Sequence, residues 1–303
     1  MADISDGVWP VTLTPFTDSR SIDWDALDRL VEWYEAAGAA GLFTVSLSSE
    51  MYDLDHDERV RLAEHVVSAS DLPVVATGSF GESVEEQAAA VDEMAATGVD
   101  AVVVNVADVA PAEADEEAWL ANARRLLDLT GDVPLGLYEC PQPYHRLLDA
   151  STLGTLAETD RFVFHKDTCC DAGRIARRLA AVEDTPLSLF NANVPTLSVS
   201  LADGASGYSG TAANLYPDLL AWLCEHSREE PELAAELQEF LSVADYVIRV
   251  NYPRVAKQYL ARGRVEMRPD CRRESSPPSA EGELTLDHLG RTVDRWRDRL
   301  DLA

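Results

Sequence analysis

A lysine at the end of an apolar run is the first place in this chain where covalent chemistry could be done. Phe162, Val163, Phe164, His165, Lys166, Asp167 and Thr168 read as a short buried strand with Lys166 at its carboxyl end. The chain holds two lysines, Lys166 and Lys257, against 23 arginines. A buried ammonium costs roughly several kcal/mol unless it is paired or loses its proton. Arginine stays charged, whereas lysine can become a neutral amine and form an imine with a carbonyl. The competing structural reading is an ion pair between Lys166 and Asp167 or Glu139.

Other residues that could act with such an amine fall at the carboxyl ends of neighbouring apolar runs. Ser46, Leu47, Ser48, Ser49 and Glu50 follow the second run, and Asn105, Ala107 and Asp108 the fourth. Tyr138, Glu139, Cys140 and Pro141 end the fifth, and Ser209 closes the last. Hydroxyls and backbone N–H groups after the second run could hold a small carboxylate. A tyrosine on the strand beside the lysine could carry protons to and from a carbinolamine. Taken singly, loop serines and a strand-end tyrosine are ordinary; their convergence on one rim with an isolated lysine favours the imine.

The elements that must bring these ends together alternate along the chain. Strands are predicted at Gly7–Phe16, Gly41–Ser46, Pro73–Ser79, Val99–Val106, Val133–Cys140, Phe162–Lys166, Pro186–Asn191 and Gly204–Gly210. Helical patterns separate them. One opens at Asp23, and Asp55 with Glu58 and Ser83 with Glu86 have the spacing of capping boxes. Runs such as AVVVNV are apolar on both faces, as in a parallel sheet. Eight such units within about 215 residues predict a closed (β/α)8 TIM barrel, residues 1–215. No GxGxxG or P-loop stands at a strand end. Residues 216–303 read as a C-terminal helical region. Its polar stretch 274–282 is predicted to be an exposed loop, and its last helix to run from about Thr285 to Leu300.

Composition narrows the partners. The 54 acidic and 25 basic residues give a formal net charge of -29. The acids recur through the predicted helices instead of forming one block, which suits a halophilic protein in a high-salt cytoplasm. Nucleic acid and anionic membranes are excluded as expected partners. The N-terminus shows no signal segment and no 18-residue apolar run occurs, so a cytoplasmic location is expected. Five irregularly spaced cysteines without a CxxC argue against a disulfide framework and a zinc site, and no metal is expected.

At this point the chain resembles the pyruvate-dependent class I aldolase family that includes dihydrodipicolinate synthase, N-acetylneuraminate lyase and 2-keto-3-deoxygluconate aldolase. The resemblance is carried by TPF (Thr14–Phe16), by SLSSEMYDLDHDE (Ser46–Glu58) where the family has GTTGE, and by YECP (Tyr138–Pro141) for YxxP. HKDTCCD (His165–Asp171) and GASGYSGTAAN (Gly204–Asn214) complete it, so it spans the whole predicted barrel.

The resemblance implies that Lys166 forms the Schiff base and Tyr138 shuttles protons. It implies that Ser48 matches the second threonine of GTTGE and binds the pyruvate carboxylate, with Ser49 in the glycine position and Ser209 lining the site. Leu47 replaces the first threonine, so the usual hydroxyl relay lacks a member. Pro143 stands where dihydrodipicolinate synthases carry an arginine, and no tyrosine occurs near Ala107 and Asp108. Gln142, Tyr144, His145 and Arg146 follow the motif instead, which points to a sugar-derived 2-keto acid. The family implies no cofactor, pyruvate and an aldehyde as small-molecule partners, and a homotetramer or homodimer. The alternatives are a dihydrodipicolinate synthase, a keto-acid dehydratase of the same family, and a catalytically idle keto-acid-binding protein.

Overall fold

The computed structural model describes residues 4–302. Strands and helices alternate from the start: β1 (Gly7–Val8), α1 (Trp24–Ala36), β2 (Leu42–Thr44), α2 (His56–Ala69), β3 (Val74–Thr77), α3 (Val84–Ala95) and β4 (Ala101–Asn105). Next come α4 (Glu116–Leu129), β5 (Leu135–Tyr138), α5 (Ala150–Ala157), β6 (Phe162–Asp167), α6 (Ala172–Val182), β7 (Ser188–Asn191), α7 (Leu197–Ala202) and β8 (Gly207–Tyr208). The chain then continues in helices α8 (Pro217–His226), α9 (Pro231–Ile248), α10 (Arg254–Leu260) and α11 (Ala280–Arg299). Both predicted capping boxes form: Asp55 with Glu58 opens α2, and Ser83 with Glu86 opens α3.

All strand pairs are parallel, in the order β1-β8-β7-β6-β5-β4-β3-β2. The predicted first strand is cut to Gly7–Val8, because Pro10 has no N–H to give to a ladder. Single bonds beyond it still close the barrel against the second unit. Ala40 N donates to Val8 O at 2.8 Å, Phe43 N to Pro10 O at 2.9 Å and Thr12 N to Phe43 O at 2.9 Å. On the other side β1 and β8 approach so closely that a Cβ on Gly207 would lie 1.8 Å from Gly7 O. Only glycine fits there.

The barrel interior below the rim is aromatic. Phe164 stacks on Phe190 at 4.9 Å between ring centroids, and Trp9 and Phe43 lie 5.4 and 5.7 Å from Phe164. Gly136 makes room for it: a Cβ there would meet Val103 at 3.0 Å and Phe164 at 3.3 Å. The two-residue period of β6 therefore points Phe164 and Lys166 inward and His165 and Asp167 outward toward the helices.

The C-terminal helices depart from expectation at one boundary. The last helix starts at Ala280, not Thr285, because Ser279 accepts from Gly282 N and Glu281 and Glu283 complement the first turn. The polar loop therefore ends at Ser279.

Candidate active site

Lys166 is 5% exposed, and no carboxylate pairs with it among the described residues. Its Nζ lies 4.2 Å from the centroid of the Tyr138 ring and 5.6 Å from that of Phe43. Burial lowers its pKa to about 7, with the Cys140 thiol pulling weakly the other way. The amine is thus neutral in a substantial fraction of molecules at neutral pH, as nucleophilic attack requires.

The two carboxylates offered as ion-pair partners are engaged elsewhere. Glu139 and Asp167 both bind Arg178 of α6 on the outer face of the sheet, where all three side chains are fully buried. Arg178 Nη1 donates to Glu139 Oε2 at 3.0 Å and Nε to Leu148 O at 3.2 Å. One guanidinium cannot neutralise two carboxylates equally. Burial pushes both up, but Arg178 outweighs it at Asp167, which is held below its ordinary range, whereas Glu139 rises to about 7. His165 completes this outer cluster, with its pKa lowered to about 3 mainly by burial and then by Arg178. Glu139, His165 and Asp167 offer ligand atoms within 4.8 Å of one another, but a cation there would face Arg178.

Lys257, also fully buried, does the opposite. Its Nζ donates to Glu50 Oε1 at 2.6 Å and to Asp270 O at 2.9 Å. Of the two lysines, one is an ion-paired strut and the other an unpaired amine.

The depressed pKa has a consequence for stability. An unfolded lysine binds its proton up to about pH 10.5 and the folded one only up to about 7, so the unfolded state carries more protons between those values. The Lys166 contribution to stability therefore rises with pH across that window, and below it the full penalty, about 5 kcal/mol, applies. Lys166→Met is expected to melt higher than the wild type at pH 6, with the gap closing toward pH 10. Equal melting temperatures at pH 6 would mean that the amine is solvated or paired.

Tyr138 is the direct β5 partner of Lys166 in the sheet register and is 3% exposed. Burial first, then the neighbouring Cys140 thiol, hold its phenol protonated well above the ordinary range. The phenol therefore keeps its proton at neutral pH while its ring lies against the amine.

The loop after β2 turns sharply, with Val45 and Glu50 at φ 48° and 59°. Ser49 is spent on holding that turn: its Oγ donates to Thr12 O at 2.7 Å and accepts from Ser46 N at 3.1 Å. Any contact of Ser49 with a substrate is left to its backbone. Ser48 Oγ accepts from the Tyr252 hydroxyl at 2.9 Å. The N–H groups of Leu47 and Ser48 make no hydrogen bond among the described residues, which leaves two donors for a carboxylate. Ser209 lies beyond β8, two strands from Lys166, with its hydroxyl buried and unpartnered.

Tyr252 was not anticipated. It comes from the turn before α10, and Asn214 Nδ2 donates to its hydroxyl at 2.7 Å while also donating to Val11 O at 2.8 Å. A relay of Asn214, Tyr252 and Ser48 therefore stands beside the position where Leu47 carries no hydroxyl. The NYP triplet at 251–253, a turn signal inside an otherwise helical stretch, was the available clue.

A polar quadrant lies at the ends of β4 and β5. Asn105 Nδ2 donates to the Tyr52 hydroxyl at 3.0 Å, to Asp108 Oδ1 at 3.0 Å and to Gln142 O at 3.2 Å. Burial raises Asp108 to about 7 against hydrogen bonds from Ser79 and Asn105. Of the four residues expected to hold a polyhydroxylated acid, Gln142 alone joins this network. Tyr144 donates to Ala110 O, Arg146 binds Ala114 O and Glu116, and His145 meets Thr168 Oγ1 at 2.8 Å. Those three tie loops together.

Known proteins share this fold and much of this chain's length. A 4-hydroxy-tetrahydrodipicolinate synthase of Methanothrix thermoacetophila is 27% identical over 213 residues, 70% of each chain. The crystal structure of a dihydrodipicolinate synthase from Bacillus anthracis superposes with a TM-score of 0.85 at 21% identity, covering 95% of this chain and 98% of the other. An Escherichia coli K12 prophage protein of the dihydrodipicolinic acid synthase family, solved in complex with pyruvate, gives 0.84 at 20% identity over 95% and 98%. The profile of the dihydrodipicolinate synthetase family matches residues 5–290, nearly the whole chain, and this protein belongs to that family.

Proposed function

We propose that this protein is a class I lyase that joins Lys166 to pyruvate, or to the keto group of a 2-keto acid, and makes or breaks the adjacent carbon–carbon bond. The observation that carries this reading is the buried, unpaired Lys166 against the Tyr138 ring. The neutral amine attacks the keto carbon, Tyr138 gives a proton to the departing oxygen, and water leaves to form the iminium. In the cleavage direction the Tyr138 phenolate left by that transfer takes the proton of the hydroxyl on the departing carbon while the scissile carbon–carbon pair flows into the iminium, giving an enamine and releasing an aldehyde. Protonation and hydrolysis of the enamine return pyruvate and the free lysine. The iminium is itself the electron sink, so the cycle is chemically complete without a cofactor. Ser48, with the N–H groups of Leu47 and Ser48, receives the pyruvate carboxylate, and Ser209 offers a further hydroxyl.

For the second substrate we favour a sugar-derived 2-keto acid. Pro143 offers no cation, and Asn105, Tyr52, Asp108 and Gln142 are neutral or acidic groups suited to hydroxyls. Among the described residues the one guanidinium bonded to this network, Arg273, gives its Nη2 to the Gln142 side chain. Pyruvate release from a panel of 2-keto-3-deoxy sugar acids tests this. Cleavage of one or more supports it. Turnover confined to condensation of pyruvate with a carboxylated aldehyde would favour a dihydrodipicolinate synthase. Loss of water without pyruvate release would indicate a dehydratase, and trapping without any turnover a binding protein.

In this reading residues 1–215 carry the chemistry and residues 216–303 brace it by delivering Tyr252 and Lys257. Val243 and Tyr246 of α9 and Val250 in the turn just after it are each 70% exposed, with Leu284 of α11 at 53%. Such exposed apolar side chains suit self-association into a homodimer or homotetramer. A monomer in sedimentation at micromolar concentration would contradict it. Among the described residues no helix is long and apolar enough to cross a membrane, and no disulfide forms. Both fit a cytoplasmic location.

The acidic skin supports a halophilic reading with its own expected result. At 1 M salt the Debye length shrinks to ~3 Å and most self-repulsion is screened. Melting temperature and the association rate of anionic pyruvate are both expected to rise with KCl from tens of millimolar to molar. A melting temperature highest in dilute buffer would refute it.

A further inference from the structure

Beside the barrel mouth, between the turn after β1 and the segment 268–275, lies a cavity of about 470 Å³ walled by Arg20, Arg254, Arg268, Arg272 and Arg273. Its acidic lining is Asp18, Asp270 and Glu274. Five guanidiniums against three carboxylates is a local excess of positive charge in a chain whose formal net is -29. The excess is not evenly shared. Arg268 takes both Asp18 and Asp270, and Arg272 binds Glu58 from outside the lining. Arg20, Arg254 and Arg273 have no carboxylate partner among the described residues. Arg254 Nε is buried without any acceptor, and Arg273 gives its Nη2 only to the neutral Gln142 Oε1 at 3.1 Å.

Like charges gathered around a hollow repel one another, and this chain has acids in plenty with which to quench them. A planar guanidinium presents paired N–H groups that match carboxylate and phosphate oxygens. The diffuse negative field of the protein is screened over about 8 Å at physiological ionic strength, so these neighbouring groups dominate inside the cavity. The cavity is bounded on the inner side by Arg273, whose N–H donates to Glu50 Oε2 at 2.8 Å, and it includes none of Ser48, Tyr138 or Lys166.

We propose that this cavity is a second binding site, for a compact oxyanion of two or three negative charges, held by Arg20, Arg254 and Arg273. Phosphoryl and polycarboxylate ligands share that chemistry. The site does not depend on the imine reading of Lys166.

Calorimetric titration of the full chain with pyrophosphate and, separately, citrate tests it, against KCl at matched ionic strength. Saturable binding of either anion is expected, and which of the two binds tighter separates the phosphoryl from the carboxylate source. In the doubly substituted Arg20→Gln, Arg254→Gln protein the Kd is expected to weaken at least about ten-fold. Reductive trapping of pyruvate should stay at the wild-type level, which also reports that this protein is folded. Binding should persist in Lys166→Met. The proposal is overturned if neither anion binds beyond the KCl control, if the double substitution leaves the Kd unchanged, or if pyruvate displaces the anion competitively. Failure of trapping with anion binding intact would count against the imine alone.

Discussion

Lys166→Arg is expected to abolish trapping of pyruvate by borohydride and to cut turnover by roughly 10³-fold or more, the scale of a lost nucleophile. Arginine keeps the positive charge but cannot become a neutral amine or form an imine. It also places an unpaired guanidinium where Lys166 is 5% exposed, so folding needs its own check. Lys166→Met supplies it, since that side chain removes the charge and nearly fills the volume; it should be equally inactive yet at least as stable. The wild type has a matching pH signature. With Lys166 lowered to about 7, the kcat/KM for pyruvate should rise as pH increases through 7 and then level off. An amine of ordinary pKa would still be gaining at pH 9.

Tyr138→Phe is expected to trap pyruvate but to turn over about 10² to 10⁴-fold more slowly, the range for a lost general acid–base group. The substitution separates two roles of one side chain. The ring 4.2 Å from the Lys166 amine is kept, as is its edge contact with Phe43 at 5.5 Å, so burial of the amine changes little. Only the hydroxyl beside Cys140 is removed. The pH at which trapping reaches half its maximum should therefore stay near 7 while turnover falls. Unchanged turnover would remove Tyr138 from the chemistry.

How much of this could be read from the chain alone depends on the range of the interactions involved. The alternation of apolar strands with capped helices is local, so the barrel, both capping boxes and the strand that carries Lys166, one residue longer than expected, were legible. Period-two geometry within β6 puts Lys166 and Asp167 on opposite faces. What was not legible is carried by contacts between residues far apart in sequence. Arg178 claims Glu139 and Asp167 together, and nothing in the pattern of α6 announces it, since a helical arginine ordinarily faces water. Tyr252 reaches Ser48 across 204 residues and Lys257 reaches Glu50 across 207, both out of a region read only as helical. Ser49 looked like Ser48 in sequence, yet the sharp turn from Val45 to Glu50 assigns one hydroxyl to the scaffold and leaves the other at the Tyr252 relay. Arg146, too, reads as a free cation after the YxxP motif until α4 supplies Glu116.

The proposed chemistry requires the buried, unpaired lysine to be the nucleophile and the buried, paired one to be a strut. Peptide mapping of the wild-type protein after incubation with pyruvate and borohydride at pH 8 addresses both lysines at once. One reduced adduct per chain is expected, on Lys166, with Lys257 unmodified behind its bond to Glu50. An adduct on Lys257, or none on either lysine, would contradict that chemistry.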